Sequence, residues 1–185
     1  MIERHIIRAC WIALCIGLLP SLFRAQFAEA QAVSEYQVKA AYLYSFTKFV
    51  EWPAGSFSNS SDPIRLCILN DKPFQTRLNQ IAGNRQISGH PVLVTSVRDG
   101  KESRGCHELF IGSSQSQDTM QIIDSLRGTS VLTVGESDDF VELGGIINFV
   151  VLGDHVQFQV NQKAATQARL HMSSQLLSVA KRVFK

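Results

Sequence analysis

The amino-acid sequence predicts an α/β protein: a single domain with a mixed, mainly parallel sheet flanked by helices, and a C-terminal β-hairpin followed by helices. Three observations carry that expectation. Short runs rich in Val, Ile, Leu and Phe recur at Ile64–Leu69, Cys106–Ile111, Val131–Val134 and Ile146–Leu152, the pattern of strands buried on both faces. Amphipathic stretches of helical period lie between them. Gly153-Asp154 then forms a two-residue turn before the alternating run Val156-Gln157-Phe158-Gln159-Val160, as a hairpin with one wet face requires.

The first thirty residues read as an export signal. Arg4 and Arg8 supply a basic start and Ala9 to Leu19 an apolar run, Pro20 breaks it, and Ala28-Glu29-Ala30 offers small residues for cleavage after about Ala30. The run is about 11 residues where a membrane-spanning helix needs ~20, which disfavours an anchor. The domain expected after it is 31–185, about 155 of the 185 residues and the size of one ordinary domain. Arg4, Arg8 and Arg24 leave with the signal against Glu3 and Glu29, so the formal charge falls from +2 to +1. A surface so close to neutral gives no reason to expect nucleic-acid binding.

Two of the four cysteines lie in the signal. The remaining pair, Cys67 and Cys106, is expected to form a disulfide in an oxidising compartment, the alternative being two buried thiols. They stand 39 residues apart, and closing that loop is worth about 4 kcal/mol on chain-entropy arithmetic.

Along the domain, Ser34 and Gln37 form a capping box for a first helix that runs until Glu51-Trp52-Pro53, where the residue before proline turns extended. Val38, Ala41, Tyr42, Ser45, Phe46 and Phe49 make one apolar stripe on it, while Tyr36, Ala40, Leu43 and Val50 make a second. Either both are buried within the domain or one meets a second copy or a partner. Tyr44, Phe46 and Trp52 are the residues expected at such a seam, with core packing as the alternative for each.

A Gly/Ser/Asn-rich loop over 54–62 precedes the strand Ile64–Leu69. Asn70-Asp71-Lys72-Pro73 then caps a second helix that runs through Ile81 and is closed by Gly83. Val92–Val94 is a short strand, 98–104 a charged loop, and Cys106–Ile111 a strand. A third helix runs from Gly112-Ser113-Ser114 to about Leu126. The backbone at Gly112-Ser113-Ser114 either receives an anion or is an ordinary cap. The almost wholly apolar Ile146–Leu152 is expected to be a central strand, and Phe149 and Phe158 to be core. A last helix is expected from about Ser174 to Val183, with Lys181 and Arg182 at its negative end.

No nucleophile elbow, dinucleotide fingerprint, phosphate-binding loop or zincin motif is present, so no catalytic residue, cofactor or metal is expected. Arg169 and His171, just ahead of Ser173-Ser174, are the candidates for binding a carboxylate or phosphate ligand beside a helix start, against the alternative of a salt bridge and a cap.

Residues 35–53, from Glu35-Tyr36-Gln37-Val38 to Glu51-Trp52-Pro53, resemble the opening signature of the YfiR family. Phe140 with Gly144-Gly145-Ile146-Ile147-Asn148-Phe149 resembles its second signature, and Leu170-His171-Met172-Ser173-Ser174-Gln175 with the residues through Ala180 its third. The resemblance implies a periplasmic repressor that binds the periplasmic domain of an inner-membrane diguanylate cyclase, forms a homodimer and is sequestered by an outer-membrane lipoprotein. It also implies the Cys67–Cys106 bridge. A second family bridge near the Gly-Gly segment has no cysteines here, so redox control through it is not expected. The alternative function is a periplasmic small-ligand sensor acting on another membrane protein.

Overall fold

The computed structural model describes residues 35–59 and 61–185, so the expected signal and the Ser34 cap lie outside the described residues. Helix α1 covers 35–46, followed by β1 (Val50–Glu51), β2 (Ile64–Leu69), α2 (Lys72–Ala82), β3 (Gln86–Ile87) and β4 (His90–Val97). Next come α3 (Gly100–Ser103), β5 (Glu108–Ile111), a 3-10 turn (Ser113–Asp118), α4 (Thr119–Ser125), β6 (Leu132–Gly135) and β7 (Ile147–Leu152). The chain ends with β8 (His155–Asn161), α5 (Gln162–Gln167), β9 (His171–Met172), α6 (Ser174–Val179) and β10 (Arg182–Phe184).

Eight strands form one sheet in the order β10-β8-β7-β6-β5-β2-β4-β3. The run from β7 to β4 is parallel, β8 and β3 are antiparallel to their neighbours β7 and β4, and β10 lies parallel to β8. The α/β class and the mixed sheet are thus as the sequence predicts. Several elements read correctly because their signals are local. Strand β2 has the expected bounds, Asp71 caps α2 through the Phe74 N–H at 2.9 Å, and Gly153 (φ +63°) turns the β7–β8 hairpin.

Six differences stand out. The first helix stops at 46 rather than at Pro53, because Val50–Glu51 turns extended to pair with Met172 and His171 of β9. The last helix stops at Val179, not Val183. Ala180 is extended, Lys181 N–H donates to Phe158 O at 2.8 Å, and Arg182–Phe184 fills the open edge of β8, so Lys181 and Arg182 are not the end of a helix. The charged loop after β4 contains α3, capped by Asp99 on the Glu102 N–H at 2.8 Å. The third helix begins as a 3-10 turn, and β4 is longer than expected, joined to β3 by Ser88-Gly89, both at positive φ. Finally β7 is not central: β5 and β6 are the strands buried along their whole length. Beyond Phe149, β7 overhangs β6, leaving Val151 and Leu152 exposed.

Each sheet face has its own core. On the first, α1, α2, α5 and α6 cover Leu66, Ile68, Phe110, Leu132, Val134 and Phe149. Phe46 stands edge-on to Phe158 with centroids 4.9 Å apart, and Phe74 packs on Phe110 at 4.6 Å. Phe149 and Phe158 are core, as expected. The second face holds Ile122, Ile123, Leu126, Val97 and Phe140 around the disulfide. Phe140 is wedged against two glycines: a Cβ at Gly135 or Gly145 would come within 2.2 or 2.1 Å of its ring.

Candidate functional site

The two ends of the parallel strands carry different chemistry. Toward the amino ends of β2, β4 and β5, Cys106 just ahead of β5 is joined to Cys67 in the middle of β2, with Cα atoms 5.9 Å apart, which ties β2 to the start of β5. The next residue, His107, is buried. Its ring stacks on Phe57 with centroids 4.5 Å apart and planes 5° from parallel, and Phe57 stacks on His90 at 4.1 Å. Arg65 N–H donates to His107 Nδ1 at 3.1 Å, so that nitrogen bears no proton and the neutral ring presents Nε2–H to Ser56 O at 3.3 Å. Burial holds His107 below the ordinary histidine range; the Ser56 bond opposes this, while Arg65 and His90 add to it. Trp52 lies half-buried beside it and donates its indole N–H to His107 O at 3.3 Å.

At the carboxyl ends, where open parallel sheets usually receive ligands, the chain supplies its own anion. Glu136, just past β6, accepts the Ser113 N–H on Oε1 at 2.7 Å and pairs through Oε2 with Lys39 of α1 at 2.5 Å. The two charged side chains are 5% and 8% exposed. The backbone at Gly112-Ser113 therefore does hold a carboxylate, and it is an internal one. The sequence reading missed Lys39 and Glu136 because they are 97 residues apart. The one available signal was a lysine lying inside the Tyr36/Ala40/Leu43 stripe.

Glu108 opens β5 and was read simply as part of a buried strand. It is fully buried, and neither carboxyl oxygen has a hydrogen-bond partner among the described residues. Burial raises its pKa well above the usual carboxylate value, so it is held as the neutral acid.

Of the residues expected at a seam, Phe46 and Tyr44 sit in the core, Tyr44 beneath Lys48 and Arg85, and of the three Trp52 alone is not buried. On α1 the stripe containing Ala40 and Leu43 packs inward, while Val38 and Ala41 of the other stripe face outward. Arg169 and His171 are both exposed, with buried Leu170 between them. Arg169 adopts φ +60° and donates through Nη2 to Gly128 O at 3.0 Å. His171 stands opposite Glu51 in the β1–β9 pair. The start of α6 is capped by Ser173 on the Leu176 N–H at 3.2 Å.

No curated protein matches the chain. Among solved structures it is similar to a conserved domain protein from Vibrio cholerae O1 biovar El Tor str. N16961, with 9% identity, 65% of this chain and 54% of that chain covered, and a TM-score of 0.51. It is also similar to an ABC domain in complex with L-Trp from Streptococcus pneumonia, with 12% identity, 65% and 55% covered, and a TM-score of 0.48. The chain spans about half the length of these proteins, and at such identities the first likeness is one of fold alone. The family model described as DUF4154, YfiR/HmsC-like, matches residues 36–181, from the first helix to the residue before the last strand. The chain therefore belongs to the YfiR/HmsC-like family.

Proposed function

We propose that this protein is a periplasmic inhibitor that docks on the periplasmic domain of an inner-membrane diguanylate cyclase and lowers cyclic-di-GMP synthesis. The family is one of periplasmic, non-catalytic regulators of that signalling system, and the match over 36–181 is the observation that supports the reading. Export follows from the same proposal, with residues 1–30 removed after about Ala30 as a signal peptide and 31–185 as the exported chain. Among the described residues, no helix is long and apolar enough to cross a membrane. Docking needs surface complementarity, and the half-buried Trp52 is the aromatic anchor available to it. Homodimer formation and sequestration by an outer-membrane lipoprotein belong to the same proposal. The test is intracellular cyclic-di-GMP in cells with and without the protein. A rise on deletion, reversed by the wild-type chain and not by Trp52→Ala, is the expected result, and an unchanged level rejects the role.

One observation favours a second reading, a small-ligand sensor. Arg169 is a non-glycine residue in the left-handed region, anchored to the carbonyl of Gly128. Gly128, Arg127, Glu142 and Gln167 line a cavity of about 390 Å³ with apolar walls from Ile123, Leu126 and Ala168. Titration of wild type and Arg169→Ala with free amino acids and nucleotides tests it; equal affinities, or no binding to either, remove it.

A further inference from the structure

The segment over 54–62 is fastened to the sheet by histidines. Its other hydrogen bonds stay within 53–62: Ser56 N–H to Pro53 O, Asp62 N–H to Asn59 O, the Ser58 and Asn59 N–H groups to the Asp62 carboxylate, and Ser61 N–H to the Asn59 side chain. Among the described residues, every hydrogen bond from this segment to the sheet ends on His107 or His90. His107 Nε2 holds Ser56 O at 3.3 Å, and His90 Nδ1 lies 2.8 Å from Asp62 O. Between these bonds the Phe57 ring is clamped by the two imidazoles. Ser56 of the segment also borders a cleft of about 310 Å³ lined by Trp52, Arg65, Arg104 and His107.

We propose that this segment is a proton-operated latch: it stays shut while His107 is neutral, and releases when His107 takes up a proton, uncovering Trp52 and the arginine-lined cleft. The hydrogen bonding gives the mechanism. Nδ1 of His107 is an acceptor for the Arg65 N–H, and a proton there sets donor against donor. The new charge is also buried, at a cost that only an accompanying carboxylate would offset. The groups facing the ring do not supply one. Arg65 from β2 and His90 from β4 both oppose a charge on the ring, and Arg104 lies across the cleft. Asp62 is the carboxylate that acts on the ring from the loop, the weakest of the influences on it. Glu108, the next residue in the chain, is held neutral in the sheet. Relief comes by moving the ring into water, and that breaks the Ser56 bond and the Phe57 stack and withdraws the ring's edge contact with the Trp52 indole. The latch stands apart from the identity of any docking partner, since its opening is a property of this chain alone.

The test follows Trp52 fluorescence and hydrogen exchange over 54–62 from about pH 8 to about pH 5, with a Trp52→Phe variant subtracting any emission from Trp11. Acidification is expected to shift the Trp52 emission to the red and to raise the open population about ten-fold per pH unit through the transition, as uptake of one proton requires. His107→Gln is expected to show open-state exchange already at neutral pH, with no further transition. Flat fluorescence and exchange across the range overturn the proposal, as does the same transition persisting in His107→Gln. If that variant does not fold, ring-proton NMR of the wild type decides. The opening midpoint must coincide with titration of His107, and one that follows His90 or another group overturns the latch.

Discussion

The carboxyl and amino ends of the parallel strands are held by opposite electrostatic strategies. At the carboxyl end a lysine and a glutamate are buried and paired, with a backbone N–H completing the carboxylate. At the amino end a histidine and a glutamic acid are both buried and both held neutral. A buried ion pair is costly to break but insensitive to pH near neutrality. Buried neutral groups are the reverse, because their contribution to stability varies with pH. The carboxyl end therefore fixes α1 on the sheet, and the amino end is where the chain can respond.

The comparison is broken most directly at the ion pair. Lys39→Ala or Glu136→Ala breaks the buried pair and is expected to cost about 3–5 kcal/mol, whereas Lys39→Met with Glu136→Leu restores most of it. Urea unfolding of the two singles and the double measures this. If the singles lose under about 1 kcal/mol, the pair is solvated and the contrast between the ends is wrong.

Next in size is the covalent tie at the amino end. Reduction, or Cys67→Ala with Cys106→Ala, is expected to lower stability by about 4 kcal/mol, a fall in Tm of roughly 8–16 °C for a domain of this size. Calorimetry with and without reductant reads it. Because Cys106 adjoins His107, reduction is also expected to raise exchange over 54–62, and unchanged protection there separates the bridge from the latch.

A smaller effect tests the wedge beside the carboxyl end. Gly145→Ala places a methyl group within 2.1 Å of the Phe140 ring, and Gly135→Ala does so within 2.2 Å. Each is expected to cost about 1–3 kcal/mol through overpacking. Combination with Phe140→Leu recovers part of that loss if the clash is the cause, which a thermal melt of the single and double variants decides.

How much of this was legible in the sequence follows from how far apart the contacting residues lie. Strand β2, the Asp71-capped α2 and the Gly153-Asp154 hairpin are written within a few neighbouring residues, and they read correctly. Helix α1 shows the limit: it carries two apolar stripes, and only the position of the sheet makes Ala40 and Leu43 core while Val38 stays in water. Strands β1, β9 and β10 have no local signal, because each is extended only to satisfy a distant edge. Of the candidate sites, the cysteine pairing was readable from compartment logic. The Lys39–Glu136 pair and the Phe57–His90–His107 stack were not, since their members come from different elements and only the tertiary fold brings them together.

The last prediction sets the two neutral groups of the amino end against each other. Glu108 has a raised pKa in the folded chain, so between its unfolded value near 4.5 and its folded value the native state holds the extra proton. Its stabilising contribution is complete below about pH 4.5 and is lost as pH rises through the folded value. His107 has a lowered pKa, so its contribution is complete above about pH 6.5 and is lost as pH falls through its folded value. Glu108→Gln is therefore expected to flatten the decline of stability toward alkaline pH and leave the acid side unchanged. His107→Gln flattens only the acid side. Glu108→Met, which removes the orphaned oxygens, is expected to stabilise the protein at about pH 8 by roughly 1–3 kcal/mol. Chemical denaturation of the three variants across the pH range measures both slopes. If Glu108→Gln keeps the full alkaline decline, the acid is charged and hydrated in the folded chain, and the amino end no longer differs from the carboxyl end in kind.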